Sequence, residues 1–198
     1  MPGEAQNHTK LFLERGRSSA DRTHNFVLSG IWDFNYVQGG PAVARWLANG
    51  WQLSTIMSLR SGQPFSVMTG RDNNLDGANF DRGNLIGDPY LSPGRPRQEV
   101  IAMWFNTAAF NNLATGGQDG TAGINIINGP GMKNVDLGIF RSFGIREGMN
   151  LQFRTEMTNG FNMVNLNNPI NAMNNAALGT IRTARDMRQV QFGLRLSF

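Results

Sequence analysis

The chain has 198 residues, of which 40% are hydrophobic and 16% charged, with no cysteine and a formal net charge of +4. These values exclude a disulfide framework, a thiolate metal site and the high-charge composition of a disordered tail. The positive charge is nearly all arginine, spread from Arg15 to Arg195 rather than gathered in one run, so no nucleic-acid interface is expected.

No stretch is long and apolar enough for a transmembrane helix, and the opening MPGEAQNHTK lacks the apolar core of a signal peptide. The dominant signal is instead alternation with period two. The first such segment, over 23–36, places Phe26, Leu28, Gly30, Trp32 and Phe34 on one face. Asn25, Ser29 and Asp33 fall on the other, together with Val27 and Ile31, so this alternation is looser. Ala42 to Ala48 reads as one short helical piece. The second strand, over 51–60, sets Trp51, Leu53, Thr55, Met57 and Leu59 against Gln52, Ser54, Ile56, Ser58 and Arg60.

A very long connection, 61–132, follows. The third strand, over 133–143, alternates Val135, Leu137 and Ile139 with Asp136, Gly138 and Phe140. Arg141 breaks the pattern by falling on the apolar parity. Snorkelling toward an interface, or a β-bulge that re-aims the side chain, would accommodate it. A tight turn at Gly144–Gly148 leads to the fourth strand, over 149–158. There Met149, Leu151, Phe153, Thr155 and Met157 oppose Asn150, Gln152, Arg154, Glu156 and Thr158. After a second long connection, 159–187, the strand at 188–198 carries Val190, Phe192, Leu194, Leu196 and Phe198 on an unbroken apolar face.

Strands of about 10 residues match what a tilted strand needs to cross a bilayer. Alternating long and short connections match the extracellular loops and periplasmic turns of outer-membrane barrels. Counting back from a last strand that ends in the periplasm puts 61–132 and 159–187 outside. The same count puts Phe34, Tyr36, Trp51, Phe143 and Phe198 at the periplasmic boundary, with Phe26 toward the outer one. The expected fold is therefore an all-β, antiparallel transmembrane barrel segment of about five long strands. Five strands are too few for a closed barrel, the smallest having about eight, so the chain is expected to be an incomplete barrel, a fragment or truncated product. The alternative is a soluble extracellular β-sandwich serving as a binding or adhesion module, which also shows strands with one wet face.

Two residue groups carry candidate chemistry. Asp72, Asn74 and Asp76 with Gly77 match the first half of a D-x-[DN]-x-[DN]-G calcium loop, which places oxygen side chains around one hard cation. The place of the bidentate acid falls on Gly83, for which Asp81 would have to substitute. A turn stabilised by its own Asn and Asp side chains explains the same residues without a metal. The second group, Arg60, Arg154, Glu156, Gln191 and Arg195, lies on the polar parity. In a barrel that parity lines the lumen, where such residues tune selectivity. Catalysis is not expected. The histidines are His8 and His24, and no nucleophile elbow, H-E-x-x-H, P-loop or dinucleotide fingerprint is present.

Several strings resemble the C-terminal region of TonB-dependent receptors, in particular the subgroup with an N-terminal carboxypeptidase-regulatory-like domain. They are Asp21-Arg22-Thr23-His24-Asn25-Phe26, Gly50-Trp51-Gln52-Leu53, Ser61-Gly62-Gln63-Pro64-Phe65 and Asp72-Asn73-Asn74-Leu75-Asp76-Gly77. Further along come Trp104-Phe105-Asn106-Thr107-Ala108-Ala109-Phe110, Gly129-Pro130-Gly131-Met132-Lys133-Asn134-Val135-Asp136-Leu137, Phe161-Asn162 and the strand from Arg188 to Phe198. The resemblance implies active uptake of a large substrate through a barrel of about 22 strands that encloses a plug and sits in the Gram-negative outer membrane. It also implies four partners: outer-membrane lipid, the remaining N-terminal barrel and plug, the TonB complex acting through that plug, and the barrel-assembly machinery, which reads a terminal aromatic such as Phe198.

Overall fold

The computed structural model describes residues 5–112 and 116–198. The strands, in chain order, are β1 (Asn25–Phe34), β2 (Trp51–Arg60), β3 (Pro64–Phe65), β4 (Asn84–Leu85), β5 (Phe110–Asn111), β6 (Ile127–Asn128), β7 (Met132–Arg146), β8 (Met149–Thr158) and β9 (Gln189–Ser197). Two short helices are α1 (Ala42–Ala48) and α2 (Arg97–Ala102). No helix of the described residues is long and apolar enough to cross a membrane. The chain divides into two compact units. One is drawn from His24–Arg60, Met132–Asn165 and Arg185–Phe198, the other from Met1–Thr23, Ser61–Gly131 and Leu166–Ala184.

The first unit is a single antiparallel sheet of five strands in the order β1-β2-β7-β8-β9. Its register aligns the apolar rows of neighbouring strands. Trp32 lies opposite Leu53 and Leu53 opposite Ile139. Ile139 lies opposite Thr155 and Thr155 opposite Phe192. Because side chains alternate faces, one such alignment fixes all the others. Phe26, Leu28, Met57, Val135, Leu137, Met157, Val190 and Leu194 therefore share one face, and most of the polar residues share the other. The five strands form one layer, so their apolar rows do not pack against a second long-stranded sheet as a β-sandwich would require. The sheet is not closed, and β1 and β9 are its edges.

β7 runs to Arg146, three residues past the expected end, and the turn narrows to Glu147–Gly148 with Gly148 at φ +75°. A register shift falls between Gly144 and Arg146. Asn25, Arg60 and Met132 are aligned in the register, so the long connections leave from one end of the sheet. The β7–β8 turn and the connection that carries α1 leave from the other. That connection is ordered: the Asn49 side chain donates to the Val37 carbonyl at 2.8 Å and accepts from the Val37 N–H at 3.0 Å. The alanine-rich α1 begins after Pro41 and ends at Asn49, with Gly50 at φ +79°.

The second unit corrects the expectation that the long connections are only loops. It has its own apolar core of Phe65, Val67, Phe105, Ala109, Phe110, Ala122 and Ile127. Phe105 is 1% exposed and meets the Phe65 and Phe110 rings edge-on, each at 5.8 Å. Two short antiparallel pairs, β3 with β6 and β4 with β5, frame this core. The SGQPF string thereby joins the GPGM string: Gly129 N–H donates to the Gln63 carbonyl at 2.8 Å, and a Cβ on Gly62 would overlap the Gly129 main chain. A buried polar network completes the unit. The Arg82 guanidinium, 3% exposed on its side chain, pairs with Glu14 at 2.8 Å, and it also donates to the Ala122 and Leu13 carbonyls. Gln6 bridges Arg82 N–H and the Gly120 carbonyl.

Truncating the central ring tests whether this unit is held by its core. Phe105→Ala should destabilise it by about 3–5 kcal/mol, the usual loss for a buried aromatic. Amide hydrogen exchange should accelerate across Ser61–Gly131 while the β7–β8 ladder keeps its protection. Unchanged exchange over Ser61–Gly131 would refute a packed core.

Candidate functional site

The five expected lumen residues all fall on the polar face of the sheet. In the register, Gln191 lies opposite Glu156, Gly193 opposite Arg154, and Arg195 opposite Gln152. Arg154, Glu156, Gln191 and Arg195 therefore form one patch across β8 and β9. Arg60 sits apart, at the long-connection end of β2, opposite Asn25 and Met132. Arg154 donates to Glu156 at 2.8 Å with both side chains about half exposed, and its guanidinium lies 5.4 Å from the Phe140 ring. An exposed pair of this kind is worth roughly 0–1 kcal/mol. The patch thus presents opposite charges to solvent without strongly rigidifying the sheet. The same face carries Gln52 donating to Asp33 at 2.9 Å and Asp136 accepting from the Asn159 N–H at 2.9 Å.

The carboxylates expected to converge on calcium are turned to the main chain instead. Asp72 accepts from the N–H groups of Asp76 and Gly77 at 3.2 and 2.9 Å, and Asp76 accepts from Ala78 N–H at 3.0 Å. Asn74 accepts from Asp76 N–H and donates to the Gln6 carbonyl and to Asp119. These are Asx-type turns, which the short side chains of Asp and Asn close without a metal. Among the described residues no group of three or more His, Cys, Asp or Glu side chains is placed to hold a metal ion.

Asp81 is fully buried beneath this loop. Its Oδ2 accepts from the Asn73 and Asn74 N–H groups, while its Oδ1 has no hydrogen-bond partner. Burial pushes its carboxyl above the usual range, a shift the two N–H donors oppose and the neighbouring Asp76 and Asp72 reinforce. Asp119 behaves oppositely. Burial alone would raise it, but hydrogen bonds from Lys10, Asn7 and Asn74 outweigh that and hold it low.

Sequence reasoning missed two arrangements. One is the Gln6–Glu14–Arg82 network, in which Arg82 lies 76 and 68 residues from its partners, too far for any periodicity to link them. Next to it a cleft of about 540 Å³ is lined by Arg17, Gln63, Phe65, Phe80, Asn168 and Asn171 among others. Arg17 is paired with Asp21 at 2.9 Å, as Arg82 is with Glu14, so the charges of this cleft are largely matched.

The other concerns Arg141. The bulge lies beyond it, between Gly144 and Arg146, and does not re-aim it. Arg141 stays on the apolar face opposite Trp51 and Phe153, yet it is only 4% exposed. Its guanidinium lies 4.4, 5.1 and 5.3 Å from the Phe143, Trp51 and Trp46 rings and donates to the Leu47 carbonyl of α1. Neither a bulge nor extension to water accounts for it: aromatic rings and a helix cover it.

The raised Asp81 pKa gives a pH-dependent prediction. A folded-state pKa above the unfolded one favours the neutral form, so the ionised group destabilises the fold as pH rises through the folded pKa. Asp81→Asn keeps an acceptor for the two N–H groups and removes the charge. The variant should be the more stable at neutral pH, and its advantage should vanish as pH falls below about 3.8, the ordinary carboxylate value. Thermal unfolding of both proteins across this range measures it; a variant less stable at neutral pH would show that the charge itself is required.

Comparison with known proteins agrees with this geometry. The family model described as an outer membrane beta barrel domain matches residues 2–191. No curated protein and no solved structure gives a significant match. A long-stranded antiparallel sheet with one apolar and one polar face, long connections at one end and short ones at the other, is the architecture that this family places in the Gram-negative outer membrane. The chain belongs to the outer membrane β-barrel domain family.

Proposed function

We propose that the chain is the C-terminal part of a TonB-dependent receptor, supplying barrel wall and extracellular recognition surface for active uptake of a large substrate. The observation that carries this reading is the folded unit built by the long connections. A barrel that serves only as a wall needs turns, not a separate core built on Phe105 and a buried, ion-paired Arg82. A rigid surface of this size suits ligand recognition, because side chains held by packing lose little freedom when a ligand binds. The cleft beside Phe80 and Asn168, with amides and matched charges, suits a polar substrate of low net charge.

The open sheet supports the same reading. Unpaired strand edges are not tolerated in hydrocarbon, so β1 and β9 require further strands. These would come from the remaining barrel, which would also enclose the plug that the TonB complex pulls on. The patch of Arg154, Glu156, Gln191 and Arg195 would then face the lumen and Arg60 its outer mouth. The apolar face would meet lipid, and β9 with Phe198 would be the segment offered to the barrel-assembly machinery.

The test is uptake by intact cells. Cells with and without the gene are grown in a complex medium, and large solutes left in the medium are compared by mass spectrometry, in backgrounds with and without a working TonB complex. A solute retained equally when either the gene or the TonB complex is lost supports the proposal. A solute whose depletion depends on the gene but not on the TonB complex would show passive passage and overturn it.

A further inference from the structure

We infer that α1 is an interfacial membrane anchor, held on the lipid-facing side of the barrel by the caged Arg141, and that the phospholipid leaflet at the short-turn end is its partner. The inference rests on the assignment of the apolar face to lipid. Three observations lead to it.

The first is the side of the sheet on which the helix lies. Arg141 shares its parity with Val135, Leu137 and Ile139 and stands opposite Trp51 and Phe153. The Leu47 carbonyl accepts from both the Arg141 guanidinium and the Trp51 indole N–H, the latter at 2.9 Å. The Trp46 ring meets the Phe143 ring at 5.2 Å. All of these partners belong to the apolar row, so α1 is folded back over the apolar face rather than hanging below the strands.

The second is what α1 leaves uncovered. Val43 is 69% exposed, and Trp46 and Leu47 are each 55% exposed. The whole connection from Asn35 to Gly50 contains no acidic residue and a single cation, Arg45. Soluble surfaces rarely present such a patch without a partner. Bulky apolar and aromatic side chains with one basic residue are what a helix lying in the headgroup region presents.

The third is Arg141 itself. On a lipid-facing row an uncovered arginine is unfavourable in proportion to its depth. Here three rings and a carbonyl surround it, and its Nε is buried without a hydrogen-bond partner. The guanidinium fastens the helix to the wall, and the helix shields the guanidinium from the acyl chains. A second protein is less suited to this patch, which is continuous with the lipid-facing rows at Trp51 and Phe143 and offers almost no charge for a polar rim.

The chain contains no cysteine, so single cysteines placed at Val43 and Leu47 can carry an environment-sensitive fluorophore. Controls are cysteines at Leu194 on the apolar face and at Gly39 in the same connection. The chain is studied within its complete barrel, in phosphatidylethanolamine–phosphatidylglycerol vesicles that contain nitroxide-labelled lipids. The expected result is strong quenching at 43 and 47 by a nitroxide near the headgroup, weaker quenching by one near the chain terminus, and protection from aqueous iodide. Arg141→Gln should abolish the lipid quenching at 43 and 47 while leaving that at 194, whereas Arg141→Lys should restore it only in part, because an ammonium lacks the planar stacking surface. Iodide quenching at 43 and 47 equal to that at 39, with 194 still quenched by lipid, would place the helix in water and overturn the inference alone. Protection at 43 and 47 from both quenchers, with 194 still lipid-quenched, would assign the patch to a protein and also overturn it. Loss of lipid quenching at 194 in the unsubstituted barrel would overturn the lipid-facing assignment, and the inference with it.

Discussion

A backbone that crosses hydrocarbon must satisfy every N–H and C=O within the protein, and the rest of this structure depends on that requirement. It explains why the five long strands form one continuous ladder, four of them about the length a tilted strand needs to span a bilayer and β7 longer. It explains why register matters more than composition. A one-residue slip between any two strands would turn an apolar row to the polar side, so the alignment from Trp32 through Leu53, Ile139 and Thr155 to Phe192 is strongly enforced. It also makes the edges at β1 and β9 the places where the ladder leaves main-chain groups unpaired by a neighbouring long strand.

The long connections, packed with the N-terminal segment, follow the rules of a domain with its own core. They bury Phe105 among Phe65, Phe110 and Ile127, and their one deeply buried cation among the described residues of that unit, Arg82, is matched by Glu14 and by main-chain carbonyls. Leaving Arg82 unpaired would be costly in a way that an exposed pair such as Arg154 with Glu156 is not. The same logic governs the acidic loop. Asp72 and Asp76 close turns at its surface, whereas Asp81 supports it from below and bears the electrostatic penalty of burial.

Arg141 shows a third regime, between those two. It lies on the apolar row, and rings drawn from β2, β7 and α1 surround it. Trp32 stacked on Phe34 at 4.8 Å and Trp51 edge-on to Phe153 at 6.3 Å extend the aromatic belt across neighbouring strands at the same end of the sheet. Aromatic side chains suit that depth because one edge can stay wet while the ring body is buried.

The sequence by itself determined the long strands, their faces and the end from which each connection leaves, because a period of two and the spacing of turns are local properties that each strand displays alone. It also made α1 legible as a short helix at Ala42–Ala48 and put Arg154, Glu156, Gln191 and Arg195 on one side. Only the tertiary structure decided that these four adjoin while Arg60, on the same side, stands apart, since adjacency across strands depends on register and on strand order. Only it decided that SGQPF meets GPGM, that Phe105 is a core residue, and that Gln6, Glu14 and Arg82 form one network. Most of those contacts join segments tens of residues apart with no repeating pattern to announce them. The calcium-like spacing of Asp72, Asn74 and Asp76 shows the limit from the other side: spacing fixes which oxygens are near one another, but the fold decides whether they turn to a cation or to the backbone. Arg141 broke the alternation in sequence, and only the placement of α1 over it supplied the reason.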